Sequence, residues 1–369
     1  MRLSLLIVVT VAVATRTAAA YPQFQFSLGE ERCSACHLAP SGGGLINDYG
    51  RDEAGSTISR GGDGRFLHGL WTPPSWLALG GDERFALGDK QLAGRNERLA
   101  FPMQLDIYAR VTADHLSFAI TAGVRGAARD PTPPLFERLT SREHYVAYDR
   151  GDYSVRVGRF FPVFGLRLAD HTAYVRRFLG FGLLEEPYAF EASQLGDHSE
   201  TYVTGFVPQP LDLLGAGYRA KGVAVSHERR FAEDRALLGG QARVAVSPDE
   251  SRLTLGSFGK WWMREAELLW LAELDGQRQW FDHGPGRNQV AGYLAAAKWL
   301  TRGVLVTGAL HVWDPDIALR ASSRAAAELD VQYFPRAHIE VHLLTRGSGQ
   351  GNNFDAPGFL ALLQLHYYP

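Results

Sequence analysis

From about residue 97 to the end of the chain, apolar and polar side chains alternate with period two. In "PMQLDIYARVT", Met103, Leu105, Ile107, Ala109 and Val111 take one face, and Gln104, Asp106, Tyr108, Arg110 and Thr112 take the other. In "SRAAAELDVQYF", Ala325, Ala327, Leu329, Val331 and Tyr333 face away from Arg324, Ala326, Glu328, Asp330 and Gln332. The last segment, "FLALLQLHYYP", sets Phe359, Ala361, Leu363, Leu365 and Tyr367 on one side. Successive side chains of a strand point to opposite faces, so the pattern predicts strands with one apolar and one polar face. Candidate strands run over 99–112, 114–126, 142–149, 152–162, 199–209, 217–230, 235–247, 251–262, 264–277, 288–300, 303–313, 323–335, 337–346 and 357–368.

A soluble sandwich alternates in the same way, but three further features predict an all-β outer-membrane antiparallel barrel. The segments have the roughly 10-residue length of membrane strands, and Trp261, Trp262, Trp299, Tyr333, Tyr367 and Tyr368 fall near strand ends. The chain also opens with Arg2, an apolar run from Leu5 to Ala14 and Ala18-Ala19-Ala20, the anatomy of a signal peptide over 1–20 with Tyr21 as first mature residue. The strand number expected is about 14, within a range of 12–16, and even, as in bacterial single-chain barrels. The final strand ends in aromatics, like the C-terminal signal of such barrels, although Pro369 stands where a phenylalanine is usual.

Counting back from the last strand puts "GSGQGNNFDAP" and "QRQWFDHGPGRN" outside and the tight turn "TRG" on the periplasmic side. One connection breaks that asymmetry. Residues 163–198 lie between two candidate strands and, by this count, open on the periplasmic side; a connection of that length in a compact barrel is usually functional. The expected organisation is a signal peptide over 1–20, an N-terminal segment over 21–96 and a barrel over 97–369.

The N-terminal segment carries the chemistry. "ERCSACHLAPSGGG" holds the chain's two cysteines, Cys33 and Cys36, with His37 directly behind them. C-x-x-C-H is the attachment sequence of c-type haem. Two thiols on one turn of chain add across the two vinyl groups of a porphyrin, and the next residue becomes the proximal iron ligand. A disulfide would leave His37 without a reason, a structural zinc site needs four closed ligands, and a thioredoxin-like site expects a βαβ context that is missing. The segment resembles c-type cytochromes over residues 30–50, where the glycines after Ser41 either let backbone pass close to the ring or form a plain loop. One covalent haem c is therefore expected, on Cys33 and Cys36, with His37 on the iron.

No compact cytochrome bundle follows Cys36, so the haem must borrow its cover from the barrel. For the sixth ligand the expected residue is His171, with Asp170 beside it to orient the imidazole. His68 and Met103 are the alternatives, although Met103 shares the lipid face of its strand with Leu105 and Ile107. The long connection and the haem segment are expected to meet at the periplasmic mouth.

The pairing of "FPMQLDIY" with "GRFFPVFGLRLADHT" resembles bacterial porin–cytochrome c fusions, outer-membrane barrels with a single N-terminal C-x-x-C-H. That resemblance implies architecture more than activity. It points to a haem-bearing barrel in the outer membrane, with the haem segment on the periplasmic side and periplasmic or extracellular cytochromes as redox partners. A porin-type channel with a redox-sensitive haem plug and a peroxidase-like haem enzyme are the alternatives.

The remaining signals change little. Net charge is −2 across 38 basic and 40 acidic residues, which gives no reason to expect a nucleic-acid partner. Only Lys90, Lys221, Lys260 and Lys298 are lysines, a bias that codon usage or an arginine-lined lumen explains equally. Arg110, Arg156, Arg243, Glu328, Asp330, Glu340 and His342 fall on polar faces and are expected to line the lumen. Asp314 and Asp316 read as a turn or a calcium site. "GSGQG" lacks a following helix for phosphate binding. No serine–histidine–acid or paired-carboxylate arrangement can be argued, so no catalytic residue is expected.

Overall fold

The computed structural model describes residues 24–26, 32–40, 42–92, 94–124, 139–181, 185–209, 219–232, 235–319, 321–351 and 355–369. The expected signal peptide over 1–20, Tyr21 and Ser41 lie outside the described residues. The strands are β1 (Leu77–Leu92), β2 (Arg95–Ala113), β3 (Leu116–Val124), β4 (Leu139–Arg150), β5 (Tyr153–Arg159), β6 (Tyr188–Leu195), β7 (Ser199–Val207) and β8 (Lys221–Phe231). They continue as β9 (Ala236–Val246), β10 (Glu250–Met263), β11 (Leu268–Phe281), β12 (Arg287–Thr301), β13 (Val304–Asp314), β14 (Arg324–Arg336), β15 (Ile339–Gln350) and β16 (Asp355–Tyr367). Each pairs antiparallel with its sequence neighbours, and β1 closes on β16 through pairs such as Phe85 with Leu365. Closure leaves no edge strand to satisfy.

The alternation is inside out relative to a soluble protein. Leu87, Ile107, Phe118, Val157, Leu274, Leu310 and Leu365 are exposed on the outer wall. Arg142, Arg156, Glu191, Glu200, Glu228, Arg230 and Arg243 are buried in the lumen. Charged groups are almost never fully buried unless paired, and here they are. Arg156 Nε donates to Glu191 at 2.7 Å, Arg142 Nη1 to Asp106 at 2.7 Å, and Arg230 Nη1 to Glu200 at 3.3 Å. An apolar outer wall around a salt-bridged lumen is the arrangement that suits lipid outside. Leu274→Arg, at the middle of β11 on that wall, is expected to destabilise the barrel by about 2–4 kcal/mol, as arginine does at the midplane of a membrane barrel. Denaturant unfolding in lipid vesicles measures it; an unchanged midpoint would remove the lipid-facing assignment.

Sixteen strands exceed the expected fourteen by two, β1 and β6. β1 lies inside the expected 21–96 segment, so the barrel begins at Leu77 and the segment ahead of it is shorter. β6 lies inside the expected 163–198 connection and shortens it to 160–187. Adding β6 also reverses which end that connection leaves from. It joins β5 to β6 at the end opposite the chain termini, rather than on the side of the N-terminal segment.

The connection then turns inward and crosses the lumen. Phe160, Phe164, Leu166, Leu168, Val175, Leu179 and Phe181 pack in one apolar cluster with wall residues such as Phe206, Phe258, Leu269 and Leu271. Leu166 N–H donates to Glu273 at 2.8 Å, and Arg243 Nη1 donates to the Leu179 carbonyl at 2.6 Å. A short helix, α3 (Tyr174–Arg177), leads into Phe178, whose ring stacks on Trp313 with centroids 3.8 Å apart. Backbone that would be unpaired in a dry lumen is thus tied to wall side chains.

Candidate functional site

The N-terminal segment sits in the mouth at the termini end. Helix α1 (Cys33–Cys36) is a single turn, with His37 N–H donating to the Cys33 carbonyl at 3.0 Å. One turn brings i and i+3 together, so both thiols and the following imidazole occupy one short stretch of surface. The chain then reverses. Leu38 N–H donates to Leu45 at 3.0 Å, His37 bridges to Ile46, and Gly42, Gly43 and Gly44 take φ values of 74°, 78° and 59°. Three successive left-handed residues are what only glycine adopts without cost.

Asn47 locks the two halves together. Its N–H donates to the Cys36 carbonyl at 2.9 Å, its side-chain amide donates to Ala35 at 2.7 Å, and its Oδ1 caps α2 (Asp48–Glu53) by accepting from Gly50 N–H at 2.8 Å. A π-turn over Ala54–Ile58 follows. Gly50 lies so close to α1 that a Cβ there would stand 2.4 Å from the Cys36 carbonyl oxygen. Gly50→Ala is expected to displace the turn carrying Cys36, at about 1–3 kcal/mol of overpacking. Limited proteolysis within residues 33–50 should quicken while heat-modifiable migration of the barrel stays; an unchanged rate would show that the turn tolerates the shift.

Barrel turns hold the segment. Arg302 donates to the Ser59 carbonyl at 2.6 Å and to Gly55 at 3.0 Å, Arg60 N–H donates to Phe334 at 3.0 Å, and Arg51 Nη2 donates to the Leu79 carbonyl at 2.5 Å. Deeper in, Arg110 Nη1 donates to the Leu38 carbonyl at 2.6 Å. The long connection arrives from the other end, where Arg167 Nη1 reaches the Pro40 carbonyl at 3.5 Å. The connection and the cysteine segment therefore do meet, but inside the lumen and from opposite mouths.

Between the segment and the wall lies a mostly apolar cavity. Cys33, Cys36 and His37 line one side with Leu45, Ile46 and Ile58, and Asp82, Arg84, Glu340, His366 and Tyr368 line the other. The donor set suits covalent haem. The two cysteines are not joined in a disulfide. Burial raises the Cys33 thiol above its ordinary range, with Arg167 and Lys260 opposing. Burial lowers His37 to about 4, against the Gly43 backbone and Asp82, so the ring is neutral at physiological pH, as a metal ligand must be. His37 Nδ1 is buried with no hydrogen-bond partner, and so is Arg51 Nη1, a cation aimed at a cavity that a carboxylate-bearing macrocycle would complement.

The three expected sixth ligands are not on this cavity's wall. His68 packs edge-on against His338 with centroids 4.4 Å apart, at the β14–β15 turn, where His338 lies between the carbonyls of Tyr368, Asp63 and Arg65. His171 and Met103 come together, but in a second cavity that shares Arg84 with the first. Met103 is not on the lipid face. A register shift pairs Arg84 with Gln104 and Phe85 with Pro102, leaving Met103 as the bulged residue, and it turns inward. The Asp170 carboxylate accepts from Thr172 N–H at 2.8 Å and is ion-paired with Arg346. The imidazole opposite the cysteine segment is His366, on β16, which the sequence pattern does not single out. Its signal was only its place beside Gln364 on the polar face of the last strand.

The lumen-facing set expected from alternation points inward, including Arg110, Arg156, Arg243, Glu328 and Glu340. Asp330 and His342 face each other there at 3.4 Å. Asp314 and Asp316 organise a turn, accepting from Asp316 N–H and Ala318 N–H, each at 3.1 Å. Among the described residues no cluster of histidine, cysteine and carboxylate side chains could hold a bare metal ion.

No protein-family model matches this chain, and no curated protein matches it. Solved structures do. The anion-selective porin from Comamonas acidovorans aligns with TM-score 0.62 at 10% identity, over 79% of this chain and 99% of that one. Outer-membrane expressed OmpT of Vibrio cholerae aligns with TM-score 0.59 at 10% identity, over 81% and 99%. The outer membrane channel DcaP of Acinetobacter baumannii aligns with TM-score 0.58 at 12% identity, over 81% and 99%. At such identity the likeness shows the fold: a porin-like barrel.

Proposed function

We propose that this chain resides in the outer membrane as a barrel carrying one covalent c-type haem in its termini-side mouth, and that it passes electrons to or from partner cytochromes. The observation that carries the reading is the C-x-x-C-H turn, whose two cysteines and following imidazole line one mostly apolar cavity between the segment and the barrel wall. Cys33 and Cys36 would hold the group through thioether bonds and His37 would ligate its iron, which supplies one-electron chemistry when bound. The chain's own residues do the rest. Leu45, Ile46 and Ile58 exclude water from one face, the Gly42–Gly44 reversal keeps side chains out of the cavity, and Arg51 meets negative charge. Because chain termini of such barrels face the periplasm, the haem segment belongs on that side. The hydrocarbon core is roughly 30 Å thick and a single macrocycle does not span it, so a partner is needed at either mouth.

A second reading, a porin-type channel whose haem segment is a plug, is favoured by one observation: segment and inner connection together fill much of the lumen. A peroxidase-like enzyme would need an open distal position. The first test is denaturing electrophoresis of outer-membrane fractions from cells making the haem-attachment machinery. Haem staining is expected at the size of the mature chain and is expected to vanish in a Cys33→Ala, Cys36→Ala variant. A colourless wild-type chain would overturn the proposal.

A further inference from the structure

We infer that His366 supplies the second axial ligand to the haem held by Cys33, Cys36 and His37, with Glu340 as its positioning residue. The inference rests on the haem reading and deepens it.

The geometry carries it. His366 projects from β16 into the same cavity that Cys36 and His37 line, from the opposite wall. Apart from the attachment motif, it is the one histidine, cysteine or methionine lining that cavity among the described residues. The ring is buried, at 4% exposure, and held from both sides, by Glu340 through Nδ1 at 2.7 Å and by Asp82 through Nε2. A ligating imidazole almost always gives its other ring N–H to a carboxylate, a backbone carbonyl or water, which fixes tautomer and orientation. Glu340 already makes that bond. Glu340 Oε1 in turn accepts from Gln332 Nε2 at 2.7 Å, so the positioning carboxylate is itself fixed.

Nε2 is then the nitrogen that would turn to iron, its proton passing to Asp82 or to solvent. Asp82 keeps partners when His366 leaves it: the Tyr108 hydroxyl donates to it, and Gln104 Nε2 lies 3.5 Å away. Gly80, inward on β1, adds no side chain to this wall, where a Cβ would stand 3.1 Å from Leu45. Tyr108 and Tyr368 are the competing donors on the same wall, but both offer a phenol oxygen rather than an imidazole nitrogen.

The experiment uses the full chain, purified in detergent after production with the haem-attachment machinery. Haem staining on a denaturing gel reads attachment; absorption, electron paramagnetic resonance and near-infrared magnetic circular dichroism read ligation. Wild type is expected to be stained, low-spin and ligated by two imidazoles, with ferrous haem that does not take up carbon monoxide. His366→Ala should keep the stain but become high-spin and bind carbon monoxide stoichiometrically, and added imidazole should restore the low-spin spectrum. His366→Met should remain low-spin with a raised potential, since methionine sulfur favours the ferrous state. Glu340→Gln should keep both stain and spin state while raising the potential, a change that a merely structural glutamate would not cause. An unstained wild type overturns the haem reading and this inference with it. A stained wild type that is high-spin, or low-spin without the two-imidazole signature, overturns His366 alone. So does an unchanged low-spin spectrum in His366→Ala or, if that variant does not assemble, an unchanged two-imidazole signature in His366→Met.

Discussion

A chain lacking residues 24–70 is expected to conduct ions several-fold better in a planar bilayer than the full chain. The segment stands in the mouth at the termini end and is anchored at several points around it, by Arg302 to Ser59 and Gly55, by Arg110 to Leu38 and by Arg51 to Leu79. Removing it takes partners from Arg302, Arg110 and His338, but opens each of them to water, so barrel assembly should survive. The inner connection remains, bound to the wall through Leu166, Leu179 and the Asp170–Arg346 pair. Shortening that connection as well should raise conductance again, giving three conductance levels in a fixed order. A full chain that already conducts like the deletion would show that the segment leaves the lumen open. Comparing oxidised and reduced full chain then separates the two functional readings: equal conductance speaks for a sealed electron-transfer protein, a redox-dependent change for a plug.

The closed barrel was legible because its rule is simple and repeated: inward polar, outward apolar, every second residue. The strands that escaped notice break that rule for physical reasons. β1 reads "LALGGDERFALGDKQL", where Gly80-Gly81 removes two side chains from the pattern and Glu83 and Asp89 put charge on the outer face. β6, "YAFEASQL", is short, and its outward side mixes Phe190 with Ala192 and Gln194. Missing β6 had a consequence beyond the count, since one strand reverses the side from which every upstream connection leaves. The C-x-x-C-H turn was legible because its three residues fall within one turn of chain, as α1 shows. The opposite wall of its cavity was not. His366 and Glu340 lie far from Cys36 in sequence and meet its cavity only because β16 closes on β1, a pairing no local pattern announces. Met103 fails for a related reason: one bulged residue turns a side chain to the other face of the strand.

Arg167→Ala is expected to destabilise the barrel by about 3–5 kcal/mol, the cost of leaving a buried charge without its partner. Arg167 belongs to the inner connection, yet its guanidinium Nη2 donates to Glu228 on β8 at 2.7 Å, its Nη1 stands 3.8 Å from Glu200 on β7, and it reaches Pro40 in the cysteine segment. The two carboxylates differ in what they keep. Glu200 still has Arg230 at 3.3 Å and the Tyr202 hydroxyl at 2.7 Å. Glu228 Oε2 loses its hydrogen bond, and Oε1 is already buried without a partner. Most of the penalty therefore sits on Glu228, and Glu228→Gln in the Arg167→Ala background should recover a large part of it by removing the stranded charge. Arg167→Lys should recover less, because a point charge on a flexible stem does not reproduce a guanidinium that spans Glu228, Glu200 and a carbonyl at once. Denaturant midpoints of these four chains and of Glu228→Gln alone, in lipid vesicles, measure these differences, and additive effects of the Arg167 and Glu228 changes would rule out the pair as the source. The same substitution cuts the hydrogen bond from Arg167 to the Pro40 carbonyl, which ties the inner connection to the 37–46 reversal. Limited proteolysis within residues 37–46 should accordingly quicken in Arg167→Ala and stay fast in the Glu228→Gln double variant, whose charge is repaired but whose contact with Pro40 is not.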